Sequence, residues 1–487
     1  MKWAGPQVRR HGILITPDKT RVLLRPFVPG NAERTKAIFH RVMELSEDEA
    51  KGVLDDVLIE LRDRHRDLES FFEQRFDQMR SFLPSQYQPS AVRRLLIGSF
   101  FTCEYSLEAA ALFNPSIVSH PDQSGLEPGS LRFIMSLRAT GEGHISSIEF
   151  RTGIINGQGE VAVDAPSRYV TLPQVNGDPV YVKSEFTEKL RDQACLTSAT
   201  REILRVLSER FSRSQLMARI KRFRKSRARL SSAQSRSIEW AEALADLNYE
   251  ISFSATHQLS ERVVFPVSSY ESNGIEDARF VRFIDEDGSV TYYATYTAYN
   301  GRTIMPLLLE TTDFMHFRIR SVSGGASRNK GMALFPRKID GKYAMISRHD
   351  GENLYIVLSD DVYQWNEPRV LLEPTHPWEF TQVGNCGSPL ETEKGWLLLT
   401  HGVGPVRKYS IGAVLLDREN PGKVIGRLRE PLIAPNESER EGYVPNVVYT
   451  CGSILHNRRL IIPYAMSDSA TCVASVSVDE LLEKMQW

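Results

Sequence analysis

The segment NGIEDARFVRF, residues 273–283, places two adjacent carboxylates, Glu276 and Asp277, between a glycine and an apolar run that alternates like a β-strand. A carboxylate pair at the start of a strand suits glycosyl-transfer chemistry, because one carboxyl group can donate a proton to the leaving oxygen. The same pattern also fits a polar turn that enters a surface strand. The segments around it separate these two interpretations.

The chain from residue 250 to residue 478 alternates almost throughout in the manner of β-strands. Tight-turn signals occur at DEDG (285–288), IDGK (339–342) and TEKG (392–395), and strand blocks recur about every 45 to 60 residues. Each block has a turn, an apolar strand, a charged tight turn and a strand with aromatic residues. Four such blocks and a fifth at 93–164 predict a mainly β protein, a five-bladed β-propeller.

Helical patterns flank and interrupt these blocks. Residues 32–83 have apolar positions at helical spacing, with Ser46 as an expected N-cap, and predict a helical hairpin for packing or assembly. Segments RRLLIGSFF, GSLRFIMSLRA and HISSIEFRTGII are predicted strands of the first block. The predicted domains are an N-terminal arm and helical extension (1–92), a first blade (93–164), a basic helical insertion (165–249) and the remaining blades (250–487).

The composition is that of a soluble globular protein, with 41% hydrophobic residues, 25% charged residues and a net charge of -1 among 487 residues. The five cysteines are scattered without metal-ligand spacing, which argues against a disulfide framework or a zinc site. No signal peptide or membrane span is expected, so we predict a cytoplasmic protein with no membrane partner. The basic run 218–230 has one interleaved aromatic residue, and a solvated helix face is favoured over nucleic-acid binding.

The strands nearest the axis of a propeller line a funnel, so a site there draws polar residues from every blade. Such residues stand at corresponding places in the five blocks: Asn114, Arg132 and Arg138; Glu276 and Asp277; Lys330 and Arg348; His401 and Tyr409; and Asp468. Each one alone is as compatible with a surface ion pair or a turn. Their recurrence favours a shared site.

Several segments, in this order, resemble the signature motifs of glycoside hydrolase family 130, the inverting β-mannoside phosphorylases and β-mannosidases. These are GIEDARF, RNKGMALFPRKIDGKYAMISR, GSPLETEKGWLLLTHGV, YSIGAVLLD and GYVPNVVYTCG. The family's five-bladed propeller agrees with the count of blocks. The N-terminal helices and the insertion lie outside the family's minimal propeller.

The resemblance implies roles for individual residues. Asp277 matches the single general acid, which protonates the glycosidic oxygen through a hydroxyl of the bound mannose, and Glu276 lies beside it as a substrate-binding neighbour. Five residues match phosphate-binding positions: Arg138, Lys330, Arg348, His401 and Tyr409. Asn114, Arg132 and Asp468 match positions that hold the non-reducing mannose. No metal or cofactor is implied, and inorganic phosphate is the co-substrate.

Phosphorolysis is favoured over hydrolysis by the types of residue in the blocks. An inverting hydrolase needs a second carboxylate about 6.5–9.5 Å from the acid to activate water. A phosphorylase instead needs cationic and hydroxyl donors that hold the phosphate anion. Ala278 stands where the family commonly has proline, and Gln382 where many members have lysine, so the acceptor sugar is left open.

The leading hypothesis is therefore a β-mannoside phosphorylase that acts on β-mannosides or oligomannosides, releases α-mannose 1-phosphate and forms homo-oligomers through its helical segments. An inverting β-1,2-mannosidase is the nearest alternative. A non-catalytic propeller that binds glycans or partners is the second alternative.

Overall fold

The computed structural model describes residues 5–83, 87–227 and 229–486. Several predicted segments extend beyond these ranges: the N-terminal extension (1–92) includes residues 1–4 and 84–86, the basic run (218–230) includes Ala228, and the remaining blades (250–487) include Trp487. None of the helices in the described ranges combines the length and the apolarity that crossing a membrane requires.

The described residues of the N-terminal part, 5–83 and 87–106, form three strands and four α-helices. In chain order they are β1 (Arg9–Ile15), β2 (Val22–Pro26), α1 (Ala32–Glu44), α2 (Glu47–Leu61), α3 (Leu68–Met79), α4 (Ala91–Phe100) and β3 (Thr102–Ser106). Ser46 is confirmed as an N-cap, because it forms a reciprocal capping box with Glu49 at the start of α2. The region predicted as a hairpin, residues 32–83, instead contains α1, α2 and α3, and α4 packs against them.

The prediction that RRLLIGSFF forms a strand is wrong, because this segment is helix α4. Ser90 caps the helix by accepting a hydrogen bond from the backbone N–H of Arg93. Leu96 and Ile97 are buried against the preceding helices. A Cβ atom on Gly98 would lie 2.0 Å from the carbonyl oxygen of Phe72, so glycine permits a close helix contact here. A short apolar run does not by itself distinguish a buried helix from a strand.

The first strand group follows and is antiparallel: β4 (Ala111–Ser119), β5 (Leu131–Thr140), β6 (Ser146–Ile155) and β7 (Val161–Val163). The N-terminal arm is tied to it by a buried network. Arg21 donates to Glu108 at 2.7 Å and to Glu149 at 2.6 Å, and Arg151 donates to both carboxylates. Two guanidinium groups thus neutralise two fully buried carboxylates, an arrangement that is strongly destabilised when one partner is removed.

The segment predicted as a helical insertion contains helices and also short strands. Its elements are β8 (Gln174–Asn176), β9 (Val180–Val182), α5 (Lys183–Asp192), α6 (Ser198–Arg205), β10 (Arg210–Ser212), α7 (Arg213–Lys225), α8 (Ser232–Asp246) and β11 (Tyr249–Ser252). Helix α7 carries most of the basic run, with Ile220 and Phe223 turned to the core and its basic residues on the outer face. Arg224 pairs there with Glu242.

Four more antiparallel groups make up the rest of the chain. The second is β12 (Gly274–Ile284), β13 (Val290–Tyr299), β14 (Ile304–Thr311) and β15 (His316–Ser321); the third is β16 (Ala333–Leu334), β17 (Tyr343–Ser347), β18 (Leu354–Ser359) and β19 (Arg369–Leu372). The fourth is β20 (Gln382–Asn385), β21 (Leu390–Thr392), β22 (Gly395–Val403), β23 (Tyr409–Leu416) and β24 (Val424–Arg427). The fifth is β25 (Val448–Tyr449), β26 (Ile454–His456), β27 (Arg459–Met466) and β28 (Ala470–Ser477), followed by helix α9 (Val478–Glu483).

The three predicted tight turns are confirmed, because they connect β12 to β13, β16 to β17 and β21 to β22. Contacts also link the groups to each other. Groups one and two meet at a parallel pairing of Ser146 with Gly274. Groups one and five meet where the backbone N–H of Cys451 donates to Pro115 O at 2.8 Å. Strand β1 completes the fifth group by pairing with β28. The fold is therefore mainly β, with its first and last strand groups in contact.

Candidate active site

Strand β12 presents the Glu276–Asp277 pair at an irregularity in its pairing. The register with β13 shifts between Glu276 and Arg279, and Asp277 has a left-handed backbone with φ of 56°. Asn114 on β4 has the same features, a register shift between Phe113 and Ser116 and a φ of 48°. Bulges re-aim side chains at functional sites. The irregularities let these two side chains meet, and Asn114 Nδ2 donates to Asp277 Oδ1 at 2.6 Å.

Positive charges surround Asp277. Arg138 Nη1 lies 3.4 Å from its Oδ1, and Arg279 Nη1 donates to its backbone carbonyl at 3.0 Å. Burial raises the pKa of the Asp277 carboxyl, but the charges of Arg138, Arg279 and Lys330 outweigh burial and hold the net pKa below its usual value. Asp277 is consequently ionised near neutral pH in the unliganded protein.

Glu276 is held between two cations. Arg138 Nη2 donates to its carboxylate at 2.8 Å, and the ammonium of Lys330 bonds to the other oxygen. The side chain of Glu276 is only 10% exposed, so its pair with the mostly buried Arg138 is largely desolvated. Glu276 therefore positions Arg138 and Lys330, rather than standing free to activate a water molecule.

Arg348, His401 and Tyr409 form the second part of the site. Arg348 Nη1 lies 3.1 Å from His401 Nε2, with the Gln382 amide 3.2 Å from the same nitrogen. The other ring nitrogen, Nδ1, is 3.2 Å from the carbonyl oxygen of Asn385. Because a carbonyl only accepts, Nδ1 carries the hydrogen and Nε2 accepts from Arg348. The Tyr409 ring stacks on His401 with 5.9 Å between centroids.

The electrostatics of His401 differ from those of a cationic phosphate ligand. Burial, together with the charges of Arg348 and Arg279, holds the pKa of His401 well below its ordinary value. The ring is therefore neutral at neutral pH. In this state it orients the Arg348 guanidinium rather than adding a positive charge.

A chain of contacts connects the two parts. Arg279 Nη2 donates to the Tyr449 hydroxyl at 2.6 Å, and the Tyr449 ring packs against His401 with centroids 4.9 Å apart. Neither Arg279 nor Tyr449 was named from the sequence. Both belong to segments that were singled out, GIEDARF and GYVPNVVYTCG, so their position within those segments was the available signal.

Asp468 lies in a cavity of about 240 Å³ beside this cluster. Phe113 and Arg138 of group one, Glu276 and Tyr299 of group two, and Asp468 of group five contribute to its walls. Burial and the neighbouring charge of Asp277 raise the pKa of Asp468 to about 6, against the opposing effect of Arg138. Asp468 and Asp277 thus have pKa values displaced in opposite directions.

The raised pKa of Asp468 gives a testable dependence of stability on pH. The folded protein binds this proton more tightly than the unfolded chain, so the stabilisation is present below about pH 4 and is lost as pH rises through about 6. In urea unfolding, we expect Asp468→Asn to be more stable than the parent by about 1–3 kcal/mol at pH 8, and by a smaller amount at pH 5, where the folded parent still binds most of this proton. Equal differences at both pH values would contradict this, and Asp56→Asn on the exposed face of α2 is the control.

The structure brings together nine of the ten residues singled out in the sequence. They are Asn114, Arg138, Glu276, Asp277, Lys330 and Asp468 in the first part, and Arg348, His401 and Tyr409 in the second. Arg132 is the exception. It precedes Arg138 by six residues on β5, about 20 Å along an extended strand. Its guanidinium donates instead to the backbone carbonyls of Asp122 and Ser124.

The prediction that Arg132 joins the others at the mannose is therefore wrong on geometry. Both arginines lie on the same face of β5, because six residues is an even number, but only one end of that strand reaches the cavity. In the described part of the chain no group of three His, Cys, Asp or Glu side chains is arranged to hold a metal ion.

Comparisons with known proteins match most of the strand region. The family model described as β-1,4-mannooligosaccharide phosphorylase matches residues 234–487. A 1,2-β-oligomannan phosphorylase of Thermoanaerobacter sp. (strain X514) is 32% identical over 250 residues, which cover 50% of this chain and 82% of the relative. A β-1,4-mannooligosaccharide phosphorylase of Ruminococcus albus is 35% identical over 169 residues, covering 32% of this chain and 50% of the relative.

A β-1,2-mannobiose phosphorylase of Listeria innocua is similar in sequence and has a solved structure. In sequence it is 30% identical over 231 residues, covering 46% of this chain and 63% of the relative. Its structure with β-1,2-mannobiose superposes with a TM-score of 0.46 and 21% identity, covering 77% of this chain and 92% of that one.

Proposed function

The chain belongs to glycoside hydrolase family 130, and from this membership we propose that it is a β-mannoside phosphorylase that releases α-mannose 1-phosphate with inversion. The observation that carries the proposal is a buried acid, Asp277, set among the cations Arg138, Arg279 and Lys330, with Arg348 in the connected second part of the site. Phosphate is already an anionic nucleophile, so such a site needs to hold it in line with the anomeric carbon.

Each residue of the site has a role in this proposal. Asp277 is the general acid and acts through a hydroxyl of the bound mannose. Asp468, which lines the cavity, and Asn114, which is hydrogen-bonded to Asp277, hold the mannose. Lys330 and Arg348 bind phosphate and Tyr409 offers a hydroxyl, while the neutral His401 orients Arg348. Arg138 and Glu276 form the ion pair that shapes the charge around the acid.

The low pKa of Asp277 has a consequence for the order of events. A general acid must carry a proton, but in the unliganded protein the surrounding cations favour its ionised form. A phosphate anion bound at Lys330 and Arg348 offsets part of this positive charge. Phosphate binding therefore raises the pKa of Asp277 and favours the protonated, active form.

Asp468 bears on the hydrolase alternative, because an inverting hydrolase needs a second carboxylate near the acid. Asp468, which the resemblance assigns to the mannose, is a second carboxylate beside the same cluster, with its pKa raised to about 6. The number of carboxylates therefore does not by itself distinguish phosphorolysis from hydrolysis. The cationic groups and the three phosphorylase relatives support phosphorolysis.

We also propose that the five strand groups are the blades of a five-bladed propeller. Their similar antiparallel order and the contact between the first and last groups support this arrangement. The helical extension then continues through α4 and β3, and the first blade begins near residue 111 rather than 93. The insertion at 165–249 separates the first two blades.

Two further parts of the proposal concern assembly and location. Val53 and Ile59 on α2 are 41% and 58% exposed, which supports a homo-oligomer formed through the helical segments. All five cysteines are unpaired, which supports a reducing, cytoplasmic location.

The reverse reaction tests the proposed function and identifies the linkage. The protein is incubated with α-mannose 1-phosphate and a panel of acceptor sugars, and both phosphate release and product linkage are measured. We expect release of phosphate in step with formation of a β-mannoside. No transfer to mannose, mannooligosaccharides, glucose or N-acetylglucosamine would contradict the proposal. Asp277→Asn is the matched inactive control.

A further inference from the structure

Asn385, the last residue of β20, is a buried polar residue whose side chain has no role in the proposed mechanism. It is 1% exposed, and its side-chain oxygen Oδ1 has no hydrogen-bond partner in the described ranges. Its Nδ2 makes a long contact of 3.4 Å to Gly387 O. Burying an unpaired amide oxygen is unfavourable unless a ligand completes its hydrogen bond.

A second unpaired atom lies nearby. Arg348 Nε is also buried and has no partner among the described residues. A Cβ atom built on Gly331 would lie 3.7 Å from both Arg348 Nε and Asn385 Oδ1. Gly331, with φ of 91°, directly follows Lys330. A buried donor and a buried acceptor, both unpaired, therefore lie close to Gly331 and to the residue that carries the Lys330 ammonium.

The sequence places Asn385 at the same position in its strand group as two residues of the catalytic cluster. A fully buried glutamate precedes each by six residues: Glu108 before Asn114, Glu271 before Asp277 and Glu379 before Asn385. Each glutamate accepts hydrogen bonds from backbone N–H groups of a nearby loop. Asn385 therefore occupies in the fourth strand group the position that Asp277, the proposed acid, occupies in the second.

The backbone carbonyl of Asn385, unlike its side chain, is hydrogen-bonded to His401. Its carbonyl accepts from His401 Nδ1, and this fixes the ring form in which Nε2 accepts from Arg348 Nη1. The side chain takes no part in that arrangement. Substitutions of the side chain therefore leave the orientation of Arg348 in place.

We propose that Asn385 is a phosphate-binding residue whose Oδ1 accepts the hydrogen of a monoprotonated phosphate, while Arg348 Nε donates to a neighbouring phosphate oxygen. This inference rests on the proposed function for the identity of the anion. Inorganic phosphate keeps at least one proton near neutral pH, whereas sulfate has none. A carbonyl-type acceptor therefore attracts phosphate and repels sulfate, and Asn385 makes the site selective for phosphate.

Calorimetric titration with phosphate and with sulfate tests this role without requiring turnover. We expect the parent protein to bind phosphate more tightly than sulfate. Asn385→Ala is expected to weaken phosphate binding about 10- to 100-fold while leaving sulfate binding within about twofold, because only phosphate loses a hydrogen bond. Asn420→Ala, at an exposed turn, is the control and should change neither affinity.

Asn385→Asp keeps the size of the side chain and provides the test if the alanine variant does not fold. Its carboxylate still accepts from phosphate but repels both anions, so both affinities fall and the preference for phosphate increases. Three results would each overturn the proposal. They are equal losses of phosphate and sulfate affinity in Asn385→Ala, equal affinities of the parent protein for the two anions, and a lower preference for phosphate in Asn385→Asp than in the parent. Phosphate-dependent turnover of the parent is measured separately, so failure of the proposed function is recognised independently.

Discussion

Replacing Asp277 by asparagine is expected to lower kcat for phosphorolysis by about 10²- to 10⁴-fold, the usual contribution of a general acid. The amide is nearly isosteric and still accepts the hydrogen bond from Asn114, so the site keeps its shape. It cannot deliver a proton to the glycosidic oxygen. Initial rates of mannose 1-phosphate formation at saturating mannoside and phosphate measure the effect.

Phosphate binding by Asp277→Asn should be retained or become tighter. The substitution removes a negative charge 3.4 Å from Arg138 and leaves Lys330 and Arg348 unchanged. Asp360→Asn, whose side chain is 83% exposed, is the matched control and should keep full activity. Full turnover by Asp277→Asn would show that another group supplies the proton. Loss of binding as well as turnover would point to a structural role.

Arg348→Ala is expected to raise KM for phosphate by about 10²-fold or more, while KM for the mannoside changes little. The guanidinium is oriented by His401, and its removal deletes a charge-assisted contact with the anion, which typically costs about 2–5 kcal/mol. The mannose-binding cavity lies beside Arg138 and Asp468 and does not include Arg348. Initial rates over a matrix of phosphate and mannoside concentrations separate the two KM values.

Arg348→Lys separates charge from geometry. Lysine restores the positive charge but lacks the planar fork that lets Nη1 contact His401 while Nε faces Gly331, so partial recovery is expected. Arg369→Ala on the exposed part of β19 is the control and should leave both KM values unchanged. An unchanged phosphate KM in Arg348→Ala would remove Arg348 from the phosphate site.

Local patterns predicted much of the fold correctly. Some features depend on only a few neighbouring residues, so the local sequence predicts them. They are the tight turns at 285–288, 339–342 and 392–395 and the N-cap of α2. The prediction of a strand at RRLLIGSFF failed because its apolar residues are compatible with either a helix or a strand. The helix is favoured by the packing of Gly98 on Phe72 and by the N-cap at Ser90. Neither Phe72 nor Ser90 belongs to the apolar run, so the run alone does not reveal these contacts.

The residues that the structure brings together are mostly those where a residue type and a motif coincide, as for Asp277 and Arg348. Arg132 and Arg138 have the same side-chain type and the same face of β5, and only the path of that strand determines which one meets Glu276. Asn385 carries no charge and lies outside any catalytic motif, so its role depends on an unpaired atom that only the folded structure reveals. The glutamate six residues earlier was the one available signal.

The most direct test of phosphorolysis is an NMR assay of β-mannooligosaccharide cleavage with and without phosphate. The expected result is α-mannose 1-phosphate as the first product when phosphate is present, and no cleavage when it is absent. Release of free α-mannose at the same rate in both samples would show an inverting hydrolase instead, and would contradict the assignment of Lys330 and Arg348 to phosphate.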